Sequence, residues 1–344
     1  MPMKYNMRIV ASFILLSILA APAFTQTLVL INGSVIDGTG KPRSLANVRI
    51  REGKLADIGV FKPATGEMAL DVKGMIVAPG FIDLQTLSPG AFAKDPAVPS
   101  LITQGVTTAV LGSDGTGPYS VEDFMLPFDE KPGALNVALL VGHGTVRRQI
   151  MGADYKRAAA PDEIERMSEL ISDAMKQGAF GMGSDLQQEP ASFSTAQELT
   201  ALAKVIAKFG GTLVMNIRDV KEAIAVARDS KIPVQVLAPT KAAGAEIDKA
   251  RAQKVDIAAD SYSYSELARD KAIVLERAIQ RMSSAPAARM GLRERGALKK
   301  GAPADIVVFN PQSLSSGMKY VFVNGTIVVK DGQPADARPG QALR

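Results

Sequence analysis

Apolar and polar positions divide the chain into flanks and a middle of different character. Residues 28–35 alternate and are rich in β-branched side chains, and Asn32-Gly33 within them is a hairpin-turn signal. Residues 47–51 and 55–60 read as further short strands joined at Glu52-Gly53-Lys54. The same text returns near the C-terminus, at 304–309 and 320–329. The pattern predicts that both ends meet in one small composite β-sandwich, drawn from residues 27–75 and 303–344.

The middle, residues 76–302, alternates strand and helix. Apolar strand candidates fall at 76–84, 106–111, 135–141, 179–184, 212–217, 234–238 and 255–260, seven in all. Their unbroken apolar character suits strands covered on both faces, as in parallel sheets. Pro161 opens a helix, Ile164, Met167, Ile171, Ala174 and Met175 share its face, and Gly178 ends it. Ser194 with Gln197 reads as a capping box before a second helix, with Leu199, Leu202, Ala203, Ile206 and Phe209 as its stripe and Gly210 as its stop. Repeated β-α units of this length suggest a barrel or a doubly wound sheet. No G-x-G-x-x-G follows a first strand, which disfavours a dinucleotide site.

Composition narrows the chemistry. The chain of 344 residues has no Cys, so disulfides, thiolate nucleophiles and Cys-bound metal are excluded. It has one His, whereas hydrolytic zinc usually takes two or three imidazoles. The net charge of +5 is scattered rather than gathered in a basic run, so no nucleic-acid partner is expected. Residues 1–26 have the form of a secretory signal: Lys4 and Arg8, an apolar run from Ile9 to Ala20, then Ala21-Pro22-Ala23. That run is shorter than the ~20 residues that span a bilayer. A periplasmic or secreted protein, off the membrane once the signal is cleaved, is expected.

More specific text begins at Ala78-Pro79-Gly80-Phe81-Ile82-Asp83. Leu30-Ile31-Asn32-Gly33-Ser34-Val35-Ile36-Asp37-Gly38-Thr39-Gly40 precedes it. Gln104-Gly105-Val106-Thr107-Thr108, Val141-Gly142-His143-Gly144-Thr145-Val146-Arg147, Met282-Ser283-Ser284-Ala285-Pro286-Ala287 and Ala302-Pro303-Ala304-Asp305-Ile306-Val307-Val308-Phe309 follow in order. Together these resemble the amidohydrolase superfamily, and within it the N-acyl-D-amino-acid deacylases (D-aminoacylases). The resemblance implies a TIM-like (β/α) barrel with a composite β-sandwich. It also implies zinc at the C-terminal strand ends, a metal-polarised amide, an activated water and a carboxylate base on the last strand.

The positions matching the family's ligands hold other residues. The His-x-His of the first strand falls on Gln85 and Leu87, and the second-strand Cys falls near Asp114. The fifth-strand His is Asn216, with Arg218 two residues on; the sixth-strand His is Ala238 or Pro239, with Lys241 following. Only about thirteen residues separate Tyr264 from the helix at Ala278, too few for the family's eighth strand and its base. A barrel of about seven strands is therefore expected, its open edge covered by a helix at 273–282 or by another subunit of a homo- or hetero-oligomer. Whether residues 265–277 rebuild the strand stays open. No bound zinc and no catalytic residue are expected. Residual chemistry would have to come from Asp83, Asp114, Asp185 or Asp260. Arg218, Lys241 and Asn216 are the candidates to hold a small carboxylate ligand. Two readings follow: a pseudoenzyme or binding protein, or an active deacylase with an altered ligand set. A Ser-based hydrolase is disfavoured, because no G-x-S-x-G occurs and His143 has no evident orienting carboxylate in the sequence.

Overall fold

Asn32 and Gly33 do not turn the chain. The computed structural model describes residues 27–85, 88–259, 274–312 and 317–344, and strand β1 runs straight through the pair from Leu28 to Val35. Asn32 adopts a left-handed φ of 63°, and the register with β2 (Ser44–Arg51) slips between Leu30 and Gly33. This is a β-bulge, in place of the expected hairpin turn. The Asn32 N–H is taken by Asn47 Oδ1 at 2.9 Å, and a Cβ on Gly33 would sit 2.7 Å from Val77.

The bulge gives the two halves of β1 different parallel neighbours. Residues 28–31 pair with β4 (Met68–Asp71), and Ser34 and Val35 pair with β5 (Ile76–Pro79). On the other edge β2 pairs with β3 (Lys54–Gly59). Beyond β5 come β14 (Ile306–Phe309), β15 (Tyr320–Val323), β16 (Thr326–Lys330) and β17 (Gln333–Pro334). The chain ends do meet, as one nine-stranded sheet that branches at β1. Alternation along β14 divides its burial. Ile306 and Val308 face a core with Leu30, Val48, Leu55 and Phe322, while Val307 and Phe309 face the barrel.

The apolar run 76–84 is divided at Gly80. Its first half is β5 of the terminal sheet, and its second half is β6 (Phe81–Asp83), the first barrel strand. A Cβ on Gly80 would lie 2.1 Å from Thr107 Oγ1, so only Gly lets the chain pass from one sheet to the other here.

The barrel continues in parallel through β7 (Val106–Leu111), β8 (Asn136–Leu139) with β9 (Val141–Gly142), β10 (Gly181–Asp185), β11 (Thr212–Asn216), β12 (Val234–Val236) and β13 (Ile257–Ala259). Strands β8 and β9 are one barrel strand interrupted at Leu140, so seven strand positions follow in the expected order among the described residues. The helices are α1 (Pro89–Lys94), α2 (Pro99–Ile102), α3 (Val121–Glu130), α4 (His143–Met151), α5 (Pro161–Lys176), α6 (Ala196–Ala207), α7 (Val220–Ser230), α8 (Lys241–Ala252), α9 (Leu275–Met282) and α10 (Ser284–Arg289). In α5 the expected stripe is buried at Met167, Ile171, Ala174 and Met175, with Ile164 packed against its edge. The cap of α6 is Thr195 rather than Ser194: its Oγ1 accepts from Glu198 N at 3.1 Å. Ser194 instead donates to Ala191 O. Phe209 lies past the helix end and is 40% exposed, so it does not belong to the stripe.

Among the described residues, β6 and β13 each end a sheet. The helix expected at 273–282 is α9, and both it and α10 pack against β6. Ala287, Met290 and Leu292 then join Ile82, Leu84, Val110 and Val214 in the barrel-interior cluster. Residues 1–26, Leu87 and Asp260, on which some sequence expectations rest, lie outside the described residues.

Candidate functional site

The C-terminal strand ends are shaped first by glycine. After β7 the chain runs Gly112-Ser113-Asp114-Gly115-Thr116-Gly117 and folds down onto β9 and β10. A Cβ on Gly183 would sit 1.9 Å from Gly112 O, and one on Gly142 would sit 2.5 Å from Gly115 O. Gly142 N donates to Gly117 O at 2.8 Å and fixes the approach. No side chain fits between loop and strands, so backbone fills this part of the mouth.

Beside the loop, a cleft of about 550 Å³ opens between α4 and the ends of β7 and β10. Asp114, Thr116, Thr145, Arg148, Asp185 and Glu189 are among its lining residues. Asp114 Oδ1 accepts from Thr116 N at 3.0 Å and Thr116 Oγ1 at 2.7 Å, an Asx turn. Asp185 Oδ1 accepts from Gln187 N at 2.9 Å, and its Oδ2 accepts from Asn216 Nδ2 at 3.1 Å. Glu189 accepts from Tyr155 Oη at 2.8 Å and pairs with Lys156 Nζ at 3.1 Å; these contacts hold its carboxyl below the usual range. The Arg148 guanidinium lies over the Tyr155 ring, 4.7 Å from its centroid.

The other expected site residues lie apart from this cleft or serve it indirectly. Asn216 is brought to it through Asp185. Gln85 is exposed, and its backbone N–H donates to Asp83 Oδ1 at 3.0 Å. Ala238 is exposed in the loop after β12, with a left-handed φ of 41°. Arg218 spends its guanidinium on Glu222 at 2.6 and 2.9 Å and on the carbonyls of Ser192 and Ser194 at 2.7 Å each. A ligand carboxylate would have to displace Glu222. Lys241 is exposed at the first position of α8, where Thr240 is the cap. Arg148, which the sequence reading missed, stands one helical turn after Gly144 on the face of α4 that opens to the cleft.

His143 belongs to a separate, fully buried network. Its Nδ1 lies 2.8 Å from Ser184 Oγ and its Nε2 lies 2.9 Å from Glu198 Oε1. The orienting carboxylate that the sequence did not reveal is thus Glu198, on the next outer helix. An ionised Glu198 only accepts, so the His143 Nε2–H donates to it. Glu198 also pairs with Arg147, whose remaining donors reach the carbonyls of Pro190, Tyr155 and Arg157. Burial raises the Glu198 carboxyl, but the bonds from His143 and Arg147 outweigh it and leave the group below its ordinary value. Ser184, His143 and Glu198 resemble a nucleophile, base and orienter. All are 0% exposed, so no substrate carbonyl reaches them, and the network braces α4 and α6 against β10.

A model of the amidohydrolase family matches residues 257–334. An N-acyl-D-glutamate deacylase of Alcaligenes xylosoxydans xylosoxydans is 31% identical across 92% of this chain and 76% of the relative. The chain belongs to the amidohydrolase family. A D-aminoacylase from the same organism is 27% identical over the same shares. Both alignments, of 376 and 373 residues, are longer than the 344-residue chain, so these amidohydrolases carry segments with no counterpart here. An N-acyl-D-glutamate deacylase of Bordetella bronchiseptica, solved with zinc and a phosphonate inhibitor, superposes with a TM-score of 0.82 at 24% identity, covering 92% of this chain and 99% of that one. A D-aminoacylase structure gives 0.81 at 22%. These likenesses show a shared α/β fold class.

Zinc does not fit the residues this amidohydrolase presents. An amide at Gln85 and Asn216 is a weak zinc donor, and Ala238 offers none. Of the acidic groups lining the cleft, Asp114 and Asp185 each already accept two hydrogen bonds from their own loop or neighbouring strand, and Glu189 is paired with Lys156. Among the described residues, no three His, Cys, Asp or Glu side chains converge on a metal position. No step through a metal is derived.

Proposed function

We propose that this amidohydrolase-family chain is a pseudoenzyme that binds a small ligand at its barrel mouth and does not carry out metal-dependent amide hydrolysis. The observation that carries the reading is the Asp185–Asn216 pair. At the end of the fifth strand, where the resemblance places an imidazole, an amide donates to the neighbouring carboxylate at 3.1 Å. That donation neutralises part of the negative potential a divalent ion would need. The backbone-filled mouth at Gly112, Gly142 and Gly183 supports the same conclusion. Export to the periplasm is part of this reading and rests on the text of residues 1–26.

The test is metal analysis of protein purified with zinc supplied, alongside an N-acyl-D-amino-acid hydrolysis assay. Zinc well below one equivalent after desalting, with no zinc-dependent turnover, is expected. Stoichiometric zinc with turnover abolished by a chelator would overturn the reading and favour an active deacylase with an altered ligand set.

A further inference from the structure

The cleft between α4 and the strand ends is lined by groups of both charge signs. Asp114 and Asp185, both half-buried, bring carboxylates to it. Asp114 Oδ2 accepts no hydrogen bond from a described residue, and Asp185 retains unused lone pairs on both oxygens. Arg148 brings a guanidinium. It makes no hydrogen bond or ion pair with a described residue; it stacks on Tyr155 and feels the charge of Glu189. Glu189 adds little net charge, because Lys156 neutralises it. Thr116 and Thr145 add hydroxyls to the lining.

We infer that this cleft takes an unacylated amino-acid-type zwitterion, a short peptide with both termini free. Its ammonium sits against Asp114 and Asp185, and its carboxylate sits on Arg148. The chemistry selects this class on three counts. A primary ammonium has three donors and matches two carboxylates with open lone pairs; an acylated nitrogen brings one donor and no charge. A planar guanidinium held over a ring presents a fork for a carboxylate. The volume of about 550 Å³ is within the range of small-ligand sites and exceeds what a single small amino acid fills, which favours two residues over one. The inference rests on the non-hydrolytic reading above: the ligand's own cation takes up the negative potential of the mouth, and the product-like free amine is what is held.

The experiment is calorimetric titration of the mature, chelator-treated protein with alanyl-alanine (LL and DD), N-acetyl-alanyl-alanine and alanyl-alanine amide. Each control deletes one terminal charge. Saturable binding of one free dipeptide is expected, with each control weaker by roughly ten- to hundredfold. Arg148→Gln should abolish the discrimination between dipeptide and amide while leaving that between dipeptide and N-acetyl form. Asp114→Asn should do the reverse. Both positions are at the surface of the cleft, and circular dichroism checks that both variants fold. Absence of binding by both free dipeptides overturns the inference, as does an N-acetyl form that binds as well as the free one. Discrimination unchanged in both variants overturns it too. None of these results bears on the pseudoenzyme reading, which fails only by zinc content and turnover.

Discussion

Replacing Glu198 with Gln removes one charge from a place no solvent reaches. Arg147, His143 and Glu198 are all 0% exposed. The Arg147 donors not used by Glu198 end on carbonyls at 2.8–3.1 Å, which satisfy hydrogen bonds but not charge. Gln at 198 fills the same space and can still accept from His143, yet it leaves the guanidinium uncompensated. Breaking a buried pair from one side costs about 3–5 kcal/mol. At ~2.1 cal/mol/K of unfolding entropy per residue, a chain of this length loses about 1.5 °C of Tm per kcal/mol. The expected drop is therefore roughly 4–8 °C by differential scanning calorimetry. The double variant Arg147→Met, Glu198→Gln removes both charges and should recover much of the loss relative to Glu198→Gln alone. A single variant within about 1 °C of wild type would refute the reasoning. So would a double variant whose loss equals the sum of the two singles, since contact pairs in one network should not add. The pH arm has a fixed sign. The folded Glu198 carboxyl lies below its ordinary 4.5, so its stabilisation is fully present above that pH and is lost as pH falls through the folded value.

Glu163 gives a second titration: the Arg157 guanidinium and the Ala160 N–H hold its carboxyl at about 2, and Arg157→Ala should move its NMR midpoint up toward 4.5. Its stabilising contribution is present above pH 4.5 and fades as pH falls toward 2. Gly183→Ala places a methyl 1.9 Å from Gly112 O and should lower stability by ~3 kcal/mol or more in urea unfolding, with the loop from Gly112 to Gly117 displaced. Ala238→Gly relieves a left-handed residue and should raise stability by up to ~1 kcal/mol. Met290→Ala opens the barrel interior beside β6 and should cost ~2–5 kcal/mol; a change below 1 kcal/mol would show that α10 and its following residues do not fill that space.

The periodicities that bury a whole face were legible. Every barrel strand run appeared in order, and the α5 stripe from Ile164 to Met175 is the buried or packed face of that helix. Local signals misled where tertiary structure competes with them. Asn32-Gly33 became a bulge because β1 must feed β4 and β5 together. The cap is Thr195, whose hydroxyl takes the Glu198 N–H, while Ser194 turns to the Ala191 carbonyl. Of the candidate site, Asp114, Asp185 and Asn216 were legible, since strand-end positions can be counted. Arg148 was not, because a second Arg after Arg147 looks solvated until α4 is placed over the mouth. The engagement of Arg218 with Glu222 was equally hidden, although the spacing of four permits it.

The sheet that joins the chain ends carries a consequence for synthesis. β5 hydrogen-bonds to β14, more than two hundred residues downstream, and Val307, Phe309 and Val321 from that late segment cover the barrel side. Such pairing is of very high contact order and closes slowly. A nascent chain that has emerged only as far as α8 still exposes the apolar undersides of β5 and β7. The sheet therefore closes only once β14 and β15 have been made, so during synthesis the first half of the barrel waits uncovered for residues 306–323.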